Sequence, residues 1–180
     1  LDGETLYFAD TGKKVIYAYG YDTVTGNVLS RRIFASFEGQ RGLPDGATVD
    51  AEGYLWSCEV YSGRLIRFDP NGVVERIVGL PVQSTTSLIF GGPNLDIAFV
   101  TSMARPFNGN YHREHEAGCV FAVHGLGVRG VPSRAGGEGA RGPRPGGLSR
   151  SGLVPASARN RRSCGRGQRS GRHLNATARS

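Results

Sequence analysis

Residues 43–56 read Leu-Pro-Asp-Gly-Ala-Thr-Val-Asp-Ala-Glu-Gly-Tyr-Leu-Trp. Pro44 fixes φ and has no N–H for a sheet ladder, and Gly46 tolerates dihedrals that other residues avoid. Asp45 between them is therefore expected at the mouth of a strand rather than inside one, with its carboxylate free to point at a ligand. Ala47–Val49 then reads as a short strand, residues 50–53 as a turn ending in Gly, and Tyr54–Ser57 as the returning antiparallel strand.

The same unit recurs on both sides of this stretch. Upstream, Thr5–Ala9 and Lys14–Tyr19 form a hairpin across Thr11-Gly12-Lys13, a turn follows at 22–27, and Val28–Phe37 is an outer strand. Downstream, Arg64–Phe68 pairs with Tyr54–Trp56, Asp69-Pro70-Asn71-Gly72 makes the next turn, and Val73–Leu80 is again an outer strand. A third copy starts at Thr86, with strands at Ser87–Phe90, Ile97–Thr101 and Cys119–Val123. Leu6 to Leu55 is 49 positions and Leu55 to Ala98 is 43, a period that suits propeller blades of four strands. The expected fold is all-β: about three blades of a propeller, spanning residues 1–132. About three such repeats cannot close a ring, and the innermost strand of the first blade is missing, so the chain reads as part of a larger propeller.

The 180 residues divide by charge. Residues 1–132 hold 11 Lys and Arg against 14 Asp and Glu, a net of −3; residues 133–180 hold 11 Arg, no Lys and only Glu138, a net of +10. In that tail 37 of 48 residues are Arg, Gly, Ser, Ala or Pro and none is aromatic, so it cannot bury a core and is expected to be disordered. An Arg/Gly-rich tail could hold nucleic acid through phosphate contacts, but it lacks Lys and any ring for base stacking, and nucleic acid is not an expected partner. A shifted reading frame of a GC-rich gene would produce the same composition. No apolar run is long enough to span a membrane and no leader is visible, which predicts a soluble, cytoplasmic protein. Cys58, Cys119 and Cys164 form no CxxC pair, so reduced thiols are expected.

Leu-Asp-Gly-Glu-Thr-Leu-Tyr-Phe-Ala-Asp at 1–10, the 43–56 stretch, Arg-Phe-Asp-Pro at 67–70, Thr-Ser-Leu-Ile-Phe-Gly-Gly at 86–92, Val-Thr-Ser at 100–102 and Gly-Leu-Gly-Val-Arg-Gly at 125–130 together resemble the C-terminal half of the senescence-marker-protein/gluconolactonase (regucalcin-like) family. The resemblance implies a six-bladed propeller that hydrolyses sugar lactones with one divalent cation, calcium, zinc or magnesium, in its central channel. The family's ligands are a Glu near the chain start, an Asn of an Asn-Gly motif and the Asp of Pro-Asp-Gly. Only the last has a counterpart here, Asp45, to which the resemblance assigns both metal ligation and the role of general base. The chemistry is consistent: a hard cation takes oxygen ligands, and a carboxylate beside it can orient or deprotonate the attacking water. An Asp before Gly often does no more than cap a turn, so the resemblance carries this assignment. With one ligand present, the chain by itself is expected to be nearly inactive. A non-catalytic calcium-binding module or a tail-mediated nucleic-acid binder is the alternative.

Other patterns point to structure. His112, Glu114, His115 and Glu116 match no metal-ligand spacing and read as a turn between strands. Gly125–Gly130 spells GxGxxG but opens no helix, so no dinucleotide site is expected. Asp50 and Glu52 are expected to shape their turn, and the Asn175-Ala-Thr177 sequon carries no weight without a leader.

Overall fold

The computed structural model describes residues 3–105, 109, 114–132 and a short strand at 173–175. The strands are β1 Thr5–Asp10, β2 Val15–Tyr21, β3 Val28–Ser36, β4 Leu43–Val49, β5 Leu55–Val60, β6 Arg64–Phe68, β7 Val74–Gly79, β8 Thr85–Gly91, β9 Ile97–Ser102, β10 Val120–His124 and β11 His173–Asn175. They form three sheets in the orders β1-β2-β3, β4-β5-β6-β7 and β8-β9-β10-β11. No helix occurs among the described residues. Each sheet is a meander of antiparallel neighbours, apart from the parallel pair β10–β11. This is the expected all-β partial propeller: blade 1 with three strands and blades 2 and 3 with four. The disorder expected of residues 133–180 lies outside the described residues. Within that stretch His173–Asn175 adds a strand beside β10, which its composition did not suggest.

Alternation along the strands decides which faces meet. Tyr7, Ile16 and Phe34 of blade 1 pack on Leu55, Ile66 and Phe68 of blade 2, with Phe34 and Phe68 edge-to-face at 5.9 Å between centroids. The opposite face of blade 2, with Trp56, Cys58 and Leu65, packs on Leu88, Phe90, Val100 and Phe121 of blade 3. A strand covered on both faces reads as continuously buried rather than alternating, and β5 is buried at all six positions. Gly125–Gly130 closes this second interface: Leu126 and Val128 enter the core, Gly125 and Gly127 have positive φ, and Gly130 bridges to Asp50.

The turn after β6 locks blade 2 to blade 1. Asp69 accepts the N–H groups of Asn71 and Val73, both at 2.9 Å, the Pro70 carbonyl accepts from Arg32 at 3.2 Å, and Gly72 sits at φ +87° against the Phe34 carbonyl. A methyl at position 72 would overlap that oxygen. Gly72→Ala is expected to cost more than about 2 kcal/mol, from the left-handed backbone and the collision together. Chemical denaturation of the variant checks this.

Candidate functional site

The inner strands β4 and β8 lie beside each other, and each carries a register break at the same level. Pro44 pairs with Glu59 and Ala47 with Ser57, so Asp45 and Gly46 stand opposite a single residue. Thr85 pairs with Ser102 and Ser87 with Thr101, so Thr86 is the extra residue in β8. Such bulges re-aim side chains and are common next to functional sites. Both extra positions, Asp45 and Thr86, line one cleft of about 460 Å³, together with Thr11 of the β1–β2 turn and the apolar Leu43, Val60 and Met103. Asp45 also borders a second cleft of about 280 Å³, on the β1 side, beside Tyr7 and Phe8.

Two details correct the expectation for this stretch. Asp45 lies within β4 rather than at its mouth. Pro44 is tolerated because β4 is the edge strand of its sheet, where a missing N–H breaks no ladder bond; its carbonyl accepts from Thr11 Oγ1 at 2.9 Å, tying blade 1 to the site. Gly46 does not occupy a left-handed conformation. It serves close approach instead: a Cβ there would lie 2.7 Å from Ser87 Oγ and from the Thr86 carbonyl oxygen. The order Pro-Asp-Gly thus joins an edge-compatible residue, a carboxylate set out of the ladder, and a gap that lets β8 come near.

Asp45 is half-buried, and burial raises its pKa above the ordinary carboxylate value, opposed by a hydrogen bond from the Gly46 backbone. Desolvation disfavours the anion and makes it a better base when formed. Cys58, on β5 opposite the bulge, has its thiol pushed up to about 12 by burial and then by the Asp45 charge, against a Thr85 hydrogen bond. It stays protonated and inert. Cys58 is free, and Cys164 lies outside the described residues. Tyr61, at the cleft wall, holds φ +71°, a strained geometry of the kind that gathers at functional sites.

Asp45 is the one carboxylate lining these clefts, and no group of three or more His, Cys, Asp or Glu that could hold a metal ion occurs among the described residues. A desolvated carboxylate flanked by Thr11 and Thr86 fits one corner of a hard-cation site, but the described residues do not complete one. His115 is exposed, and Glu114 accepts from the Gln83 N–H at 2.9 Å, so the segment between β9 and β10 that carries it is tied to the connection between blades 2 and 3; His112 lies outside the described residues. Thr11 and Thr86 were not legible as site residues, because only the register break and the packing of the β1–β2 turn on Pro44 bring them to Asp45.

Asp50 and Glu52 do shape their turn, and more. The buried Asp50 accepts the N–H groups of Glu52 and Tyr54 at 3.0 Å, Trp56 Nε1 at 2.9 Å and Arg67 Nε at 2.9 Å. Arg67 also reaches Glu52 and Glu75 and lies 3.9 Å over the Tyr54 ring. Burial works against the Arg67 charge, but its bonds to Glu52, Asp50 and Glu75 prevail and hold its pKa above the ordinary value.

Comparison with known proteins agrees with this architecture. Residues 1–104 match the model of the SMP-30/Gluconolactonase/LRE-like region. The chain is 37% identical over 137 residues to regucalcin of Xenopus laevis, covering 75% of this chain and 46% of that protein, and 38% identical over 133 residues to regucalcin of Homo sapiens, covering 73% and 44%. Among solved structures it is similar to a luciferin-regenerating enzyme, with TM-score 0.66, 34% identity, and 72% and 44% of the two chains covered. It is also similar to a protein of Agrobacterium tumefaciens described as a calcium-binding regucalcin, with TM-score 0.63, 28% identity and the same coverage. The chain spans less than half the length of these relatives. With more than half of its residues matched by that family model, and blades that superpose on solved relatives, the chain belongs to the SMP-30/gluconolactonase family.

Proposed function

We propose that this chain carries one corner of the active site of a metal-dependent sugar-lactone hydrolase, with Asp45 as metal ligand and general base. The observation that supports this most is the bulge that takes Asp45 out of the β4 ladder and sets it, half-buried, in a cleft reached by all three blades. A divalent cation bound there would polarise the lactone carbonyl. Asp45, its basicity raised by desolvation, would accept the proton of the attacking water, and Thr11 and Thr86 can offer hydroxyls to water or to a sugar hydroxyl.

A single carboxylate leaves a divalent ion mostly water-coordinated, so the remaining ligands must come from elsewhere in a complete ring. The 180-residue chain is therefore expected to bind calcium or zinc weakly and to hydrolyse gluconolactone near the spontaneous rate. His115→Ala should change neither. Titrating the purified chain with each cation and assaying lactone opening checks this. Tight one-to-one binding with metal-dependent turnover would show that the chain builds a complete site, and tight binding without turnover in a ring-length protein would favour the calcium-binding reading suggested by the Agrobacterium relative's description.

A further inference from the structure

Glu59 is a fully buried carboxylate with no part in the chemistry proposed above. It stands on β5 directly across from Arg64 of β6, and the two form a two-armed ion pair, Arg64 Nε to Oε2 and Nη2 to Oε1, the latter at 2.8 Å. Arg64 reaches it from the surface, with 35% of its side chain exposed against 1% for Glu59. A charge is kept inside a protein only where it is paired, so the pair fixes the Glu59 side chain in one place.

Three chain segments that line the Asp45 cleft meet at this pair. On β4, Pro44 is the ladder partner of Glu59, and Gly42 lies so near that a Cβ there would overlap the Glu59 side chain; Leu43 and Asp45, beside them in the chain, line the cleft. In the β5–β6 turn, Ser62 Oγ donates to the Glu59 carboxylate, and its neighbour Tyr61 is the cleft-wall residue held at φ +71°. On β8, the buried Thr85 places its Oγ1 3.3 Å from the carbonyl oxygens of both Glu59 and Arg64. The next residue is Thr86, the extra residue of the β8 bulge. Each segment is thus held one residue away from the position it presents to the cleft. The buried pair of Asp50 and Arg67, in contrast, belongs to the β4–β5 turn at the opposite end of β5.

We propose that Glu59 is a positioning residue for this cleft: its Arg64-paired carboxylate holds the bulges of β4 and β8 and the β5–β6 turn so that Asp45, Thr86 and Tyr61 line one site together. That Asp45 acts there on a lactone rests on the function proposed above; that Glu59 arranges the cleft does not.

Glu59→Ala in the 180-residue chain is expected to move the backbone carbon chemical shifts, which report φ and ψ, at Asp45, Tyr61 and Thr86 together. Those of Ala98 and Phe121, in the core against blade 3, should stay in place. Glu59→Gln keeps the length and can still bond Ser62 and Arg64, so its shifts should remain near the parent's. Asp50→Asn removes the charge at the other end of β5 and should lower the melting temperature without moving them. In a protein long enough to complete the ring, Glu59→Ala should lower gluconolactone turnover at saturating substrate by roughly 10²-fold, the scale of a small misplacement of reacting groups, and Glu59→Gln should restore most of it. If Glu59→Ala loses the strand signal in circular dichroism, Arg64→Met, which breaks the pair from its exposed side, replaces it. Shifts at 45, 61 and 86 that stay in place in the folded variant, or that move as much in Asp50→Asn, would overturn the proposal, as would unchanged turnover beside an active parent. Moved shifts beside a parent that opens no lactone would leave the positioning role standing and refute the hydrolase reading instead.

Discussion

Asp45→Asn, in a protein long enough to supply the rest of the ring, is expected to lower lactone turnover by roughly 10²- to 10⁴-fold, the range of a lost general base, and to weaken cation binding. The same substitution is expected to stabilise the cation-free protein at neutral pH. Burial raises the Asp45 pKa in the folded state, so the fold favours the neutral carboxyl. That contribution is fully present below the ordinary carboxylate pKa and is lost as pH rises through the raised folded value. At pH 7 the ionised side chain therefore costs stability, which the neutral amide does not. The melting temperature of Asp45→Asn should exceed that of the parent at pH 7 without divalent cation, and the gap should narrow where Asp45 is protonated. Calorimetry at both pH values, with initial rates, checks the pair of effects. Loss of activity together with loss of stability would instead mark Asp45 as a turn cap.

Asp50→Ala is expected to cost about 3–5 kcal/mol, the range for breaking one side of a buried ion pair. Asp50 is fully buried and meets Arg67 Nη2 at 2.7 Å while the Arg67 side chain is 4% exposed. Its removal leaves two backbone N–H groups and the Trp56 indole without their acceptor and deprives Arg67 of its buried counter-charge. Glu52 and Glu75 still hold the outer end of the guanidinium, which keeps the expected cost inside that range. Urea unfolding followed by Trp56 fluorescence measures it. A change below about 1 kcal/mol, the scale of an exposed pair, would show that the network is not needed to hold blade 2.

Much of this architecture was readable because each turn states its chemistry locally. Asp69-Pro70-Asn71-Gly72 and Asp50–Gly53 follow turn rules that hold in any context, and the strands between them show periodicity that sterics alone enforce. The site was harder. Asp45 stood out through Pro44 and Gly46, yet the reason offered for Gly46 concerned its own dihedrals, whereas the structure uses it to admit β8. Close approach of a distant strand leaves no mark in a local pattern. Thr11 and Thr86 were missed for the same reason. Two hydroxyl residues in a strand-rich chain look like ordinary strand formers until a register break and a turn from another blade bring them to one cleft. The role of Asp50 beyond its turn depended on Arg67, 17 positions away, a pairing that charge alone did not select among the acidic residues of blade 2.

The breaks in β4 and β8 bear on how such a scaffold changes its repertoire. Asp45 and Thr86 sit where the ladder skips a residue, so the side chains there do not set the alignment of the strands on either side. New groups can be tried at these two places without disturbing the strand pairing within blade 2 or within blade 3. A selection experiment that randomises 45 and 86 together should yield many well-folded variants, whereas the same diversity at Ser57 and Val100, buried in the ladder, should yield few. Innovation in this fold is cheapest where the sheet is locally out of step with itself.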